Sequence, residues 1–337
     1  MHPCFADIIG HDEPIGMLSH ALAAGRLPHG LIFSGPRGVG KFTTARAMAK
    51  LFLAPEDEQQ QAHVAHLVET GNHPDFHVVS RQLIRFHDKT GKSKGIDLSI
   101  QVLRPELIEP AGRKSAAGVG KVFVIEEAET MNTAAQNGIL KTLEEPHGRT
   151  LIILLTDQLE GLLPTIRSRC QTVRFGRLSD EAATGILTAG GLEPKQAAAA
   201  VRLADGAPGQ AMQWIEDGVI GGAKELYRLL DQIDAGRDPN ALPTFFKTHA
   251  DAYAERQLVR DPLSSKDQST RTGLSVYLRI AADRYRKRLP GLNDPDAAEA
   301  ACLAIDAIVR CEQLLEGNVN TSIALQQLAF ALSPAGK

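Results

Sequence analysis

Three short stretches bring together residue types that can act on phosphates. The first is Gly35-Pro36-Arg37-Gly38-Val39-Gly40-Lys41-Phe42-Thr43. Its spacing matches the phosphate-binding loop G-x-x-x-x-G-K-[ST], in which backbone N–H groups cradle phosphates, the lysine meets the β- and γ-phosphates and a hydroxyl binds Mg²⁺. Phe42 stands at the hydroxyl position. Thr43 lies one residue on, about 100° around a helix, so it cannot take over that contact without a local rearrangement. The second stretch, Lys121 to Glu127, runs four apolar residues into two carboxylates, Glu126 and Glu127. At that end of a parallel strand one carboxylate can hold a nucleotide's Mg²⁺ through water and its neighbour can activate the attacking water. The third, Pro164 to Cys170, carries the guanidinium groups Arg167 and Arg169, which as surface residues would need no explanation.

These groups need a scaffold, and the apolar pattern supplies one. Leu31–Ser34 reads as a buried strand before the glycine loop, and Thr43–Phe52 as a helix after it. Phe76–Ser80, Lys121–Ile125, Thr150–Thr156 and Gln171–Phe175 read as further strands, the longest of them apolar from Leu151 to Leu155 as in a sheet covered on both faces. Thr156 and Asp157 should then face the same crevice as Lys41 and Glu126. Asn132 can cap a helix ending near Glu145, with Ala135, Ile139 and Leu143 as its buried stripe and Pro146 as its stop. Glu144 and Glu145 sit at the negative end of that helix, either solvated or met by a basic group from elsewhere. Beyond Gly176 only helical patterns remain, which divides the chain into 1–176, 177–217 and 218–337.

The 337 residues, 43% of them hydrophobic, suffice for several domains, and a net charge of −3 argues against a chain that coats nucleic acid by itself. Cys4, Cys170, Cys302 and Cys311 show neither metal-ligand spacing nor a disulfide framework, which suits a reducing cytoplasm. No apolar run approaches the length of a membrane span, so no membrane role is expected. His63, His66 and His73 read as surface histidines rather than metal ligands. The basic loop 88–95 reads as solvated, as does the cluster Arg284, Arg286, Lys287 and Arg288. Asp261–Thr270 reads as a disordered connection.

Gly38 to Lys41, Asn72-His73-Pro74-Asp75, Leu140-Lys141-Thr142-Leu143-Glu144-Glu145-Pro146 and Thr165-Ile166-Arg167-Ser168-Arg169-Cys170 together resemble the AAA+ clamp-loader family of bacterial DNA polymerase III. The resemblance implies an α/β P-loop (AAA+) domain with a parallel sheet, then a small helical lid domain and an all-α C-terminal collar domain. It also implies a place in a hetero-pentameric ring with delta-type and gamma/tau-type subunits, acting through the complex on the sliding clamp and primed DNA. Arg169, flanked by Ser168 and Cys170, is then expected to reach a neighbouring subunit's ATP, supplying a guanidinium in trans to charge developing on the γ-phosphate.

Phe42 stands where a hydroxyl residue is usual and Gly209 or Gln210 where a motor carries a sensing Arg, and both departures point to a non-motor subunit. Glu126 stands where an Asp is usual, although the Glu127 base position is filled. Residues 53–73 lack cysteine, so no zinc module is expected. No cofactor is required by this reading, although weak ATP binding through 35–43, Glu126, Glu127 and Thr156 stays open. The alternative is that the chain is itself an ATP-hydrolysing motor, with Lys41 on the phosphates and Glu127 as base.

Overall fold

The computed structural model describes residues 3–87, 97–261, 264–291, 294–317 and 319–333, and the basic loop 88–95 lies outside them. The chain forms two compact units, Met1–Met212 and Gln213–Lys337.

The first unit is built on five parallel strands, β1 (Gly30–Ser34), β2 (Phe76–Val79), β3 (Lys121–Ile125), β4 (Thr150–Thr156) and β5 (Gln171–Arg174). Their order across the sheet is β2-β3-β4-β1-β5. The register sets Leu31 between Ile153 and Gln171, and Val122 between Leu151 and Phe76. Leu31–Phe33, Val122–Ile125 and Leu151–Leu154 are wholly buried, as expected of a sheet with helices on both faces. The α/β P-loop architecture read from the sequence is therefore the observed one.

Four helices matter for the site, α1 (Asp12–Ala23), α2 (Lys41–Phe52), α3 (Glu58–Glu69) and α4 (Thr133–Glu144), two of them, α2 and α4, following the carboxyl ends of β1 and β3. The Asn132 side chain accepts a hydrogen bond from the Ala135 N–H at 2.9 Å, and Ala135, Ile139 and Leu143 are buried, so the cap and stripe of α4 stand where the pattern put them. A helical run covers 100–111. Its middle, Arg104–Ile108, takes π-type hydrogen bonding, and Pro105 and Pro110 lie within the run. Its carbonyl end is capped by a buried lysine: Lys121 Nζ donates to the carbonyls of Ala111 and Arg113, both at 2.5 Å. Burial lowers the pKa of this ammonium. Asp75, at the foot of β2, accepts from Ser115 Oγ and from the N–H groups of Ala116 and Ala117 at 2.7–3.0 Å, which ties down the loop before β3.

Three more helices follow β5: α5 (Asp180–Ala189), α6 (Pro194–Leu203) and α7 (Pro208–Glu216), the last spanning the boundary between the units. The second unit is entirely helical among the described residues, with α8 (Val219–Asp234), α9 (Ala241–Arg260), α10 (Lys266–Arg288), α11 (Pro295–Glu316) and α12 (Thr321–Leu332). Two expectations change here. Helix α10 begins at Lys266, so the connection after α9 is shorter than 261–270. Arg284 is buried rather than solvated, its guanidinium held by Asp231 and by Asp234 at 2.8 Å. Of the two cysteines on α11, Cys302 is exposed and Cys311 buried.

Candidate functional site

The glycine loop turns directly out of β1. Gly35 N–H donates to the Thr156 carbonyl at 3.1 Å, carrying the pairing with β4 one residue into the loop. Two later glycines need their lack of a side chain. Gly38 has φ +74°, and a Cβ there would lie 2.2 Å from the backbone nitrogen of Gln210; Gly40 has φ +107°. The close approach at Gly38 is the seat of α7, whose Gly209 N–H donates to the Gly38 carbonyl at 2.8 Å. Of the two residues proposed for the sensing position, Gly209 lines the cavity, while Gln210 lays its backbone on Gly38. From the other side His11, 3% exposed, donates from Nε2 to the Val39 carbonyl at 2.6 Å and sets its ring edge-on to Phe175.

Together these elements wall a cavity of about 550 Å³, lined by Arg37–Thr43, His11, Glu126, Glu127, Glu129, Thr156, Asp157 and, toward its apolar end, Ile8, Leu178, Ile186, Leu187 and Met212. The size and the mixed polar and apolar lining suit a small organic phosphate.

Its polar groups are largely engaged with one another. Lys41 Nζ turns back onto the loop, donating to the carbonyls of Gly35 and of Pro36, the latter at 2.7 Å. Burial lowers its pKa to about 8, with the Asp157 and Glu129 carboxylates pulling the other way. Phe42 is half-buried with the Arg46 guanidinium 5.7 Å from its ring centre, and offers no oxygen to a metal. Thr43 is exposed on the cavity rim. The hydroxyl of Thr44, one residue further, is already donated to the Gly40 carbonyl at 3.1 Å.

The carboxylates tell the same story. Glu127 leaves β3 in a left-handed conformation, φ 48° and ψ 49°, and its two oxygens meet two guanidinium groups: Arg37 on Oε1 and Arg81 Nε on Oε2 at 2.9 Å. Arg37 Nε also reaches Asp157 at 3.5 Å. Burial raises the pKa of Glu126, and it raises that of Glu129 too, where the nearby Asp157 carboxylate adds to the effect and the Thr156 hydroxyl opposes it. Thr156 is itself buried and accepts from the Gln158 N–H at 3.0 Å.

The third stretch forms a different surface. Arg169 is part-exposed, with Nε donating to Glu144 Oε1 at 2.6 Å and Nη1 to the Thr165 carbonyl at 3.0 Å. This answers the question left open at the end of α4: a basic group does meet Glu144. Ser168 Oγ donates to the Thr165 carbonyl at 3.0 Å, which steadies the turn. Cys170 is a core residue. Burial pushes its thiol up to about 12, and the sulfur lies 2.8 Å from where a Cβ on Gly30 would stand, so it packs against that strand.

Sequence reasoning named Arg37 only as a loop residue and overlooked its bond to Glu127. It missed Arg81, Glu129 and His11, none of which belongs to a spaced motif. Proximity of Arg81 to the end of β2 was the one available signal. His73 is 5% exposed and accepts from the Asp75 N–H at 3.2 Å on Nδ1, so it is a buried turn residue rather than a surface one. Among the described residues no group of three His, Cys, Asp or Glu could hold a metal ion, and no helix is long and apolar enough to cross a membrane.

Comparison with known proteins is consistent with this arrangement. The family model for DNA polymerase III, delta subunit, matches residues 10–179, which takes in the whole sheet, the glycine loop and Arg169. DNA polymerase III subunit delta' of Bacillus subtilis is 33% identical over 172 residues, 49% of this chain and 47% of the relative. The delta' subunit of Haemophilus influenzae is 28% identical over 224 residues, 65% of each chain. DNA polymerase III subunit tau of Bacillus subtilis is 30% identical over 186 residues, 54% of this chain and 30% of the relative. The aligned spans thus cover between about half and two thirds of the delta' relatives' own length. With half of its length matched by that model, this chain belongs to the DNA polymerase III delta subunit family.

Proposed function

We propose that the chain is a non-motor, stator-like subunit of the DNA polymerase III clamp loader. It takes its place in a hetero-pentameric ring with delta-type and gamma/tau-type subunits in the cytoplasm, helps to place the sliding clamp on primed DNA, and completes a neighbour's ATP site with Arg169. The observation that carries this reading is the state of Glu127. The residue that would activate water in a motor has both oxygens on guanidinium groups, Arg37 and Arg81, beside a loop whose metal-binding hydroxyl is Phe42. A carboxylate so engaged is a poor general base, because its lone pairs are already committed. Arg169, by contrast, is part-exposed.

The cavity and Lys41 leave room for weak ATP binding without turnover, and no zinc is needed. The test is a ring reconstituted from this chain and its delta-type and gamma/tau-type partners. Arg169→Ala should lower DNA-stimulated ATPase and clamp loading while the ring still assembles. Unchanged rates would remove the arginine's role, and ATP turnover by the isolated chain would restore the motor reading.

A further inference from the structure

Arg169 does not stand alone on its surface, and the reason lies in the core beneath it. Leu143 Cδ2 and Cys170 Sγ both press against the same side of Gly30, at 3.2 and 2.8 Å from where a Cβ would be. This contact brings the last turn of α4 against the segment leading into β5, so the next residue on one side and the preceding residue on the other, Glu144 and Arg169, meet at the surface. A carboxylate at the carbonyl end of a helix is electrostatically misplaced. Glu144 nevertheless occupies that position, and its Oε1 takes both Nε, at 2.6 Å, and Nη2 of Arg169. On the opposite flank Nη1 is held by the Thr165 carbonyl at 3.0 Å.

A guanidinium has five N–H bonds in a fixed plane. These contacts engage one on Nε, one on Nη2 and one on Nη1. One N–H on each terminal nitrogen is left, which together form the end-on fork that meets a phosphate with two parallel bonds. We propose that Glu144 is a positioning residue for Arg169: it takes the side edge of the guanidinium, so that only this fork is presented to an anionic phosphate on a partner subunit. The inference rests on the reading of Arg169 given above. Glu144 itself touches no substrate; it fixes the plane and reach of the group that does. A misplacement on the order of 1 Å can cost about 10²-fold in rate, and arginines supplied in trans to GTPases contribute about 10³–10⁵, so a free-swinging Arg169 should retain part of its effect and lose part.

The experiment uses the full chain in the reconstituted ring, with Arg169→Ala, Glu144→Ala and Glu144→Gln side by side. Glu144→Ala is expected to lower kcat of the DNA-stimulated ATPase by about tenfold with KM for ATP unchanged. Glu144→Gln, whose amide oxygen can still accept from Nε, should recover most of that loss. Both side chains are part-exposed, so thermal melting of the isolated chain and gel filtration of the ring should match wild type. A slow Arg169→Ala ring beside a Glu144→Ala ring within twofold of wild type overturns the positioning role and leaves the role of Arg169 standing. A Glu144→Ala loss that appears as raised KM or as failed assembly assigns the residue to structure instead and also overturns the proposal. An unaffected Arg169→Ala ring overturns both.

Discussion

Replacing Lys41 by Met should make the sheet-containing unit more stable, although it removes the residue that defines the phosphate loop. The ammonium is part-buried against loop carbonyls, and burial takes its pKa from the ordinary 10.5 down to about 8. A fall of that size corresponds to about 3 kcal/mol against the charged form, and water reaching the head group screens the cost to about 1–2 kcal/mol. The folded pKa is the lower one. Between about 8 and 10.5 the unfolded chain therefore holds a proton that the folded chain has released, stability rises with pH through that window, and the full cost is present below about 8. Met keeps most of the apolar stem and carries no charge. Near pH 7 the Lys41→Met chain should be more stable by about 1–2 kcal/mol, which is about 3–6 °C in melting temperature for a unit of roughly 200 residues. By about pH 10 most of that margin should be gone. Melts followed by circular dichroism at the two pH values, without nucleotide, measure it, because every other titrating group is common to both proteins. A variant less stable than wild type near neutrality, or a margin that stays constant with pH, would refute the reasoning.

Two further outcomes are expected. Phe42→Thr restores a hydroxyl to the loop and should tighten ATP binding at least about tenfold when Mg²⁺ is present, read by calorimetry; hydrolysis should stay absent, because Arg37 and Arg81 still hold Glu127, and tight Mg²⁺-dependent binding by wild type would count against the assignment. Gly38→Ala puts a Cβ 2.2 Å from the Gln210 nitrogen at φ +74°, so it should cost about 3 kcal/mol and raise hydrogen exchange at Gly209, whereas a wild-type denaturation midpoint would show that α7 can shift away without penalty.

The framework was legible because its signals are local and strong. Short uninterrupted apolar runs such as Leu151–Leu155, rich in β-branched residues and bounded by turn signals, read as strands covered on both faces, and the Asn132 cap and Pro146 stop bracket α4 within a residue or two. The glycine loop and its missing hydroxyl were visible by spacing alone. What escaped notice was decided by side chains arriving from distant parts of the chain. Arg37 and Glu127 are 90 residues apart in sequence, and neither has a neighbour that announces the other. Burial of Arg284 depends on two aspartates on another helix, and a run of basic residues reads as solvated until those partners are known. Glu144 shows the middle case. Its awkward position at a helix end raised the question of a partner, and only the contact of Leu143 and Cys170 on Gly30 supplied the answer.

The order of strands also bears on how the chain comes to be folded at all. β1 is hydrogen-bonded on both edges, yet its partners Ile152 and Gln171 follow Gly30 and Leu31 by roughly 120 and 140 residues, so a ribosome adding about 5–20 residues per second delivers the second partner on the order of ten seconds or more after the first strand. Until β4 is made, Leu31, Ile32 and Phe33 lack both of the strands they pair with, and closing so long a loop is slow by its entropy alone. The oldest strand of the sheet is therefore the last to have both of its edges paired. The phosphate loop that springs from β1 gains its bond to the Thr156 carbonyl only once the strand carrying that residue has been added.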